Sequence, residues 1–104
     1  MDESSSANAH ASDAELLNTI RSGGTGAPAL LWGRHAAAAR ALAGQLVSGQ
    51  AAADDVAVGA FAQVLDAIRR GGGPTDAFRP YLLTAVRRAA VGSRGNASAG
   101  IPTD

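Results

Sequence analysis

The residues in this chain best suited to chemistry are arginines. Arg69, Arg70, Arg79, Arg87, Arg88 and Arg94 fall between residues 69 and 94, against a single acid, Asp76. The formal net charge of the chain is zero, so this local excess marks a footprint for a polyanion. A glycine-rich run, GGGPTD, interrupts the cluster, and Tyr81 follows it. Glycines let a backbone approach a ligand closely, and an aromatic ring offers a stacking face. All nine basic residues are arginine. That bias reads mainly as the codon composition of a GC-rich genome, yet the guanidinium fork also suits phosphates and base edges better than an ammonium does.

Other chemistries find no constellation. The chain has no cysteine, which excludes disulfides, thiolate zinc sites, iron–sulfur clusters and cysteine nucleophiles together. Of its two histidines, His10 lies in a polar N-terminal stretch and His35 on an apolar helical stripe, neither with a serine and an acid arranged as partners. His35 reads as a packed or capped imidazole, because no second metal ligand sits at helical spacing beside it. The GGTG and GGG runs lack the Lys-Ser/Thr of a phosphate loop and read as helix breaks. The expectation is a protein that is no enzyme, with no catalytic residue, metal, cofactor or small-molecule substrate. No apolar run approaches the roughly 20 residues that span a bilayer, and the N-terminus is acidic and Ser/Ala-rich. A cytoplasmic protein without a membrane partner is expected.

The elements that must position the arginines follow from the hydrophobic period. The 104 residues have room for one small domain. Four helical segments separated by Gly- or Pro-rich breaks, with no alternating β-branched run, predict an all-α fold, a compact bundle of about four helices. Residues 1–11 read as a flexible tail, 12–94 as the domain, and 95–104 as a flexible linker or tail. Ser12 and Glu15 form a candidate capping box for the first helix, whose stripe is Leu16, Leu17 and Ile20. Arg21 closes that helix where the dipole favours a cation. The second helix starts near Pro28 and runs to about Ser48, with Leu31, Trp32, His35, Ala39, Leu42, Ala43 and Leu46 on one face. Arg34 and Arg40 lie off that face and read as solvated. The third follows Ala51–Ala53, with Asp54 and Asp55 expected in its first turn, and ends at Arg70. The fourth starts between Thr75 and Pro80, with Phe78, Tyr81, Leu82, Ala85, Val86 and Ala89 as core contacts and its arginines on the outer side.

Four motifs in order carry a resemblance. SDAELLNTIRSG, ALLWGRHAAAARALAGQLV, DDVAVGAFAQVLDAI and DAFRPYLLTAVRRAAVGSR resemble the second conserved region of bacterial extracytoplasmic-function sigma factors across residues 12–94. The resemblance implies a helical domain that binds RNA polymerase core through the clamp helices of its large subunit. It further implies recognition and melting of the promoter minus-10 element, with a non-template base turned out of the stack. Polymerase contact then falls on Asp54, Asp55, Val58, Gln63 and Asp66 of the third helix. DNA contact falls on Arg69, Arg70, Asp76, Arg79, Tyr81, Arg87, Arg88 and Arg94, with the base pocket between the Gly71–Asp76 loop and the start of the last helix. Such a protein would be nucleoid-associated through the polymerase. Charge that tracks a backbone, with a loop and an aromatic ring for an unstacked base, is what single-strand capture requires on physical grounds.

The chain also departs from the family. Members commonly carry Gln-Glu just before the Ala-Phe of the third helix, where this sequence has Val58 and Gly59. Their loss favours an alternative, a degenerate sigma-like module bound mainly by an anti-sigma factor. Members also carry a helix-turn-helix domain that reads the minus-35 element. The sequence ends before one, and division at the linker after Arg94 is the expected reason, a stand-alone first domain the alternative. Trp32 and Phe61 read as core fillers rather than base platforms. Tyr81 stands between packing and DNA contact, and Arg87 and Arg88 between a solvated face and DNA contact. For Asp54 and Asp55, a helix-start role and polymerase contact are compatible.

Overall fold

Ser12 opens the first helix as its spacing predicts. Its Oγ accepts from the Glu15 amide at 3.1 Å, and Glu15 Oε1 accepts from the Ser12 amide at 2.8 Å. Two donors left orphan at a helix start are thereby satisfied reciprocally. The helix that follows, α1, spans Asp13–Arg21. The computed structural model describes residues 9–100, with side chains as far as Ser93. Its other helices are α2 (Ala27–Leu46), α3 (Gln50–Arg69) and α4 (Phe78–Gly100). Among the described residues there is no strand, and the four helices pack as an all-α bundle, as expected. None of them is long and apolar enough to cross a membrane.

One core joins all four helices. Leu16, Leu17 and Ile20 enter from α1, Leu31 from α2, Val64 and Ile68 from α3, and Phe78, Leu82 and Val86 from α4. Each large side chain so buried contributes about 1.5–3 kcal/mol of transfer free energy. Where α2 meets α3 the filling is small: Ala39 and Ala43 on one helix and Ala53, Ala57 and Ala60 on the other are buried. Side chains this short let the two backbones approach closely. At the rim, Trp32 meets Phe61 at a tilt with centroids 5.0 Å apart, and Phe61 meets Phe78 edge-on at 6.1 Å. Trp32 and Phe61 are half-buried fillers in contact with the core, in keeping with the packing role read for them.

A polar link fixes the start of α4 against α2. His35 is 7% exposed. Its Nε2 lies 2.8 Å from Asp13 Oδ2, and its Nδ1 lies 3.1 Å from Arg79 Nε. Arg79 Nε is a donor only, so Nδ1 must accept and the proton sits on Nε2, pointed at Asp13. Arg79 also donates to the Arg34 carbonyl at 3.2 Å, while Arg34 pairs with Asp13 at 2.9 Å. His35 is thus the packed, capped imidazole expected, and no group of three metal-ligating side chains gathers among the described residues.

Several expectations need correcting. Because α3 starts at Gln50, Asp54 and Asp55 lie in its second turn, and the first turn carries no acid. Asp54 instead accepts from Gln50 Nε2 at 3.0 Å and faces Arg40 Nε at 3.4 Å. Arg34 and Arg40 are not simply solvated, since Arg34 is paired as above and Arg40 also sits over the Trp32 ring at 5.4 Å. Helix α4 continues past Arg94 to Gly100, its glycines costing about 1 kcal/mol each in propensity without ending it. Of the expected tails, residues 1–8 and 101–104 lie outside the described residues. Ala11 packs against the core and the Ala9 carbonyl accepts from Arg34 at 2.9 Å.

Candidate nucleic-acid interface

The loop between α3 and α4 is shaped by its glycines. After Arg70, Gly71 adopts a φ of 95°, and its amide donates to the Ile68 carbonyl at 3.0 Å while the Gly72 amide donates to Ala67 at 2.8 Å. These two bonds are the Schellman closure of a helix end, which places a left-handed residue just past the cap. Gly73 follows with a φ of 78°, and a Cβ there would stand 2.8 Å from Ile68 Cγ1. No L side chain fits that position without displacing a buried residue. The Phe78 amide then donates to the Asp76 carbonyl at 2.8 Å to begin α4, with Pro80 in the first turn, where a missing amide is tolerated.

This loop and the first two turns of α4 enclose an open concavity of about 470 Å³. Gly73, Pro74, Ala77 and Pro80 give it apolar walls, Tyr81 an aromatic one, and Thr75, Asp76 and Thr84 supply polar groups. Tyr81 is 42% exposed, so it is not the core contact its helical spacing allowed. A partly exposed ring beside carboxylate and hydroxyl groups is suited to hold a flat, polar-edged molecule. Thr84 Oγ1 is partly occupied, donating to the Pro80 carbonyl at 3.0 Å.

The arginines scatter around this feature. At 100° per residue, Arg87 and Arg88 point about 80° and 180° away from Arg79 around α4. The expectation that the arginines of α4 share one outer side is therefore corrected. Arg79 turns to α2, as described above, and Arg88 lines a second groove, of about 420 Å³, between α3 and α4. Arg70 pairs with Asp66 one turn back. Arg69 and Arg87 are exposed and, like Arg88, have no acidic partner among the described residues. The Arg94 side chain lies outside the described residues.

The residues assigned to polymerase contact divide similarly. Asp55 and Gln63 line the α3–α4 groove opposite Arg88, together with Gly59 and Gly92. Val58 is 50% exposed beside it. Asp54 and Asp66 are the partners of Arg40 and Arg70. The structure thus brings Asp76 and Tyr81 together in one concavity and Asp55, Gln63 and Arg88 together in another. Pro74 and Thr75 belong to the loop named for the base pocket and Pro80 to the helix start beside it, while Thr84, one turn further into α4, is an addition.

No family model, curated protein or solved structure matches the chain.

Proposed function

We propose that the chain is a sigma-factor-type domain that binds RNA polymerase core and recognises and opens the promoter minus-10 element. The observation that carries this reading is the concavity at the loop–α4 junction, which combines an exposed tyrosine ring with a carboxylate and hydroxyl groups. A base turned out of a strand would stack on Tyr81 and present its edge to Asp76 and Thr75. Extrusion costs a few kcal/mol, and stacking on an aromatic side chain offsets about 1–3 kcal/mol of it. Arg69 and Arg87, exposed and without acidic partners among the described residues, would meet phosphates. The α3–α4 groove and the exposed face of α3 serve the polymerase clamp helices. A domain of this kind acts by positioning, so no catalytic step and no cofactor enters.

A second reading rests on the exposed Val58 beside Gly59. An apolar residue where the resembled family has a polar one suits an anti-sigma factor covering α3, with little DNA binding by the chain itself.

The two are separated by titrating a labelled single-stranded minus-10 oligonucleotide with the chain over a salt series. The proposal expects affinity to fall with salt, with a log–log slope of about −0.7 per phosphate contacted. Arg69→Ala with Arg87→Ala should weaken binding to every sequence and flatten that slope by about 0.7–1.4. An unchanged slope removes both residues from the interface, and absence of strand binding by the folded chain favours the second reading.

A further inference from the structure

Arg21 was expected only to complement the dipole of α1, and its guanidinium reaches further than that. Nη2 lies 2.7 Å from the Gly72 carbonyl and 2.6 Å from the Pro74 carbonyl. Both of its hydrogens are thus directed at the loop that walls the concavity, across 51 and 53 positions of sequence. Hydrogen bonds from a charged donor are about twice as strong as neutral ones. On its other side the loop is held by the Gly72 amide on Ala67 and by the fit of Gly73 against Ile68. Neither of these two carbonyls has another partner among the described residues, so without Arg21 the segment from Gly72 to Pro74 is tethered at one edge only.

We propose that Arg21 is the positioning residue of this site. It holds the loop in the single conformation that sets Thr75 and Asp76 across from Tyr81, and so determines which bases the concavity accepts. It touches no base itself. This inference rests on the DNA-binding reading above and adds to it the source of sequence preference, a residue on a helix that supplies no wall of the site.

The test compares the full chain with Arg21→Met, which keeps the aliphatic stem and removes the donors. Two quantities are read: hydrogen exchange at the Gly71 and Gly72 amides, and affinity for single-stranded oligonucleotides of equal length that differ at one base. With helix content retained by circular dichroism, exchange at both amides should rise about tenfold or more. The ratio of affinities between the best and worst strands should fall about tenfold, with the salt slope unchanged. Arg21→Lys, whose ammonium stops one bond short of the Nη2 position, is read the same way and decides the matter if Arg21→Met does not fold. Unchanged exchange overturns the proposal, as does a preference that survives loosening of the loop. Equal weakening for all strands with a flatter salt slope also overturns it, since that is the signature of a phosphate contact. A wild-type chain with no preference among strands overturns both this inference and the reading beneath it, whereas a wild-type preference that Arg21→Met retains overturns this inference alone.

Discussion

Tyr81 and Gly73 meet the same concavity from its two sides, and they act in opposite ways. Gly73 is needed for what it lacks, because its backbone lies against Ile68 with no room for a Cβ. Tyr81 is needed for what it presents, a ring 42% exposed whose removal leaves no hole in the core. Tyr81→Ala should therefore leave the thermal unfolding transition within about 0.5 kcal/mol of wild type, as surface changes do. Single-strand affinity should fall by about 1–3 kcal/mol, the contribution of one base–aromatic stack. Equal affinity for the variant and the wild type, measured by anisotropy, would remove Tyr81 from the site. Among the charged residues the distinction is between arginines that hold the protein together and those left over. Arg21, Arg34, Arg70 and Arg79 each have partners within the chain, whereas Arg69, Arg87 and Arg88 have no acidic one among the described residues. Composition alone counts these groups as equals.

At the scale of the element, α3 is where the chain departs from the family it resembles. Gly59 opens onto the α3–α4 groove with nothing within 4 Å of a built Cβ, so a side chain fits there. Val58→Gln with Gly59→Glu should tighten binding to the polymerase clamp helices, since the pair adds polar contacts on the face of α3 beside Asp55 and Gln63. Gly59→Ala serves as the control, stabilising the helix by about 1 kcal/mol without adding a contact, and clamp affinity that rises equally in both variants would assign the gain to helix stability alone. Helix ends show what a sequence reveals and what it hides. The capping box at Ser12 and the breaks at Gly23 and Gly71 depend on neighbours a few residues away, and they were legible. The start of α3 was misjudged because Gln50 and the alanines after it extend the helix by a turn ahead of Asp54, and acids near a helix start do not say how near. The concavity beside the loop was largely legible, its loop, its helix start and Tyr81 named and Thr84 missed. The tether from Arg21 spans 51 residues and the Arg79–His35 bond 44, and nothing in local spacing encodes such pairs.

For the whole molecule, two concavities follow one another along α4, joined by a smaller one that Tyr81, Gln63 and Arg88 line together. The loop side carries Asp76 and Tyr81, and the α3 side carries Arg88 facing Asp55 and Gln63. Under the proposed function the domain holds a DNA strand and a polymerase at once, which needs two such sites on one rigid frame, and the shared core of Phe78, Leu82, Val86 and Ile68 is such a frame. The measurement that tests this most directly is binding of the full chain to the clamp-helix fragment of the polymerase large subunit, with and without a single-stranded minus-10 oligonucleotide, in moderate salt. The chain should bind both, and the three should form one complex. A folded, helical chain that binds neither the fragment nor the strand would contradict the proposed function.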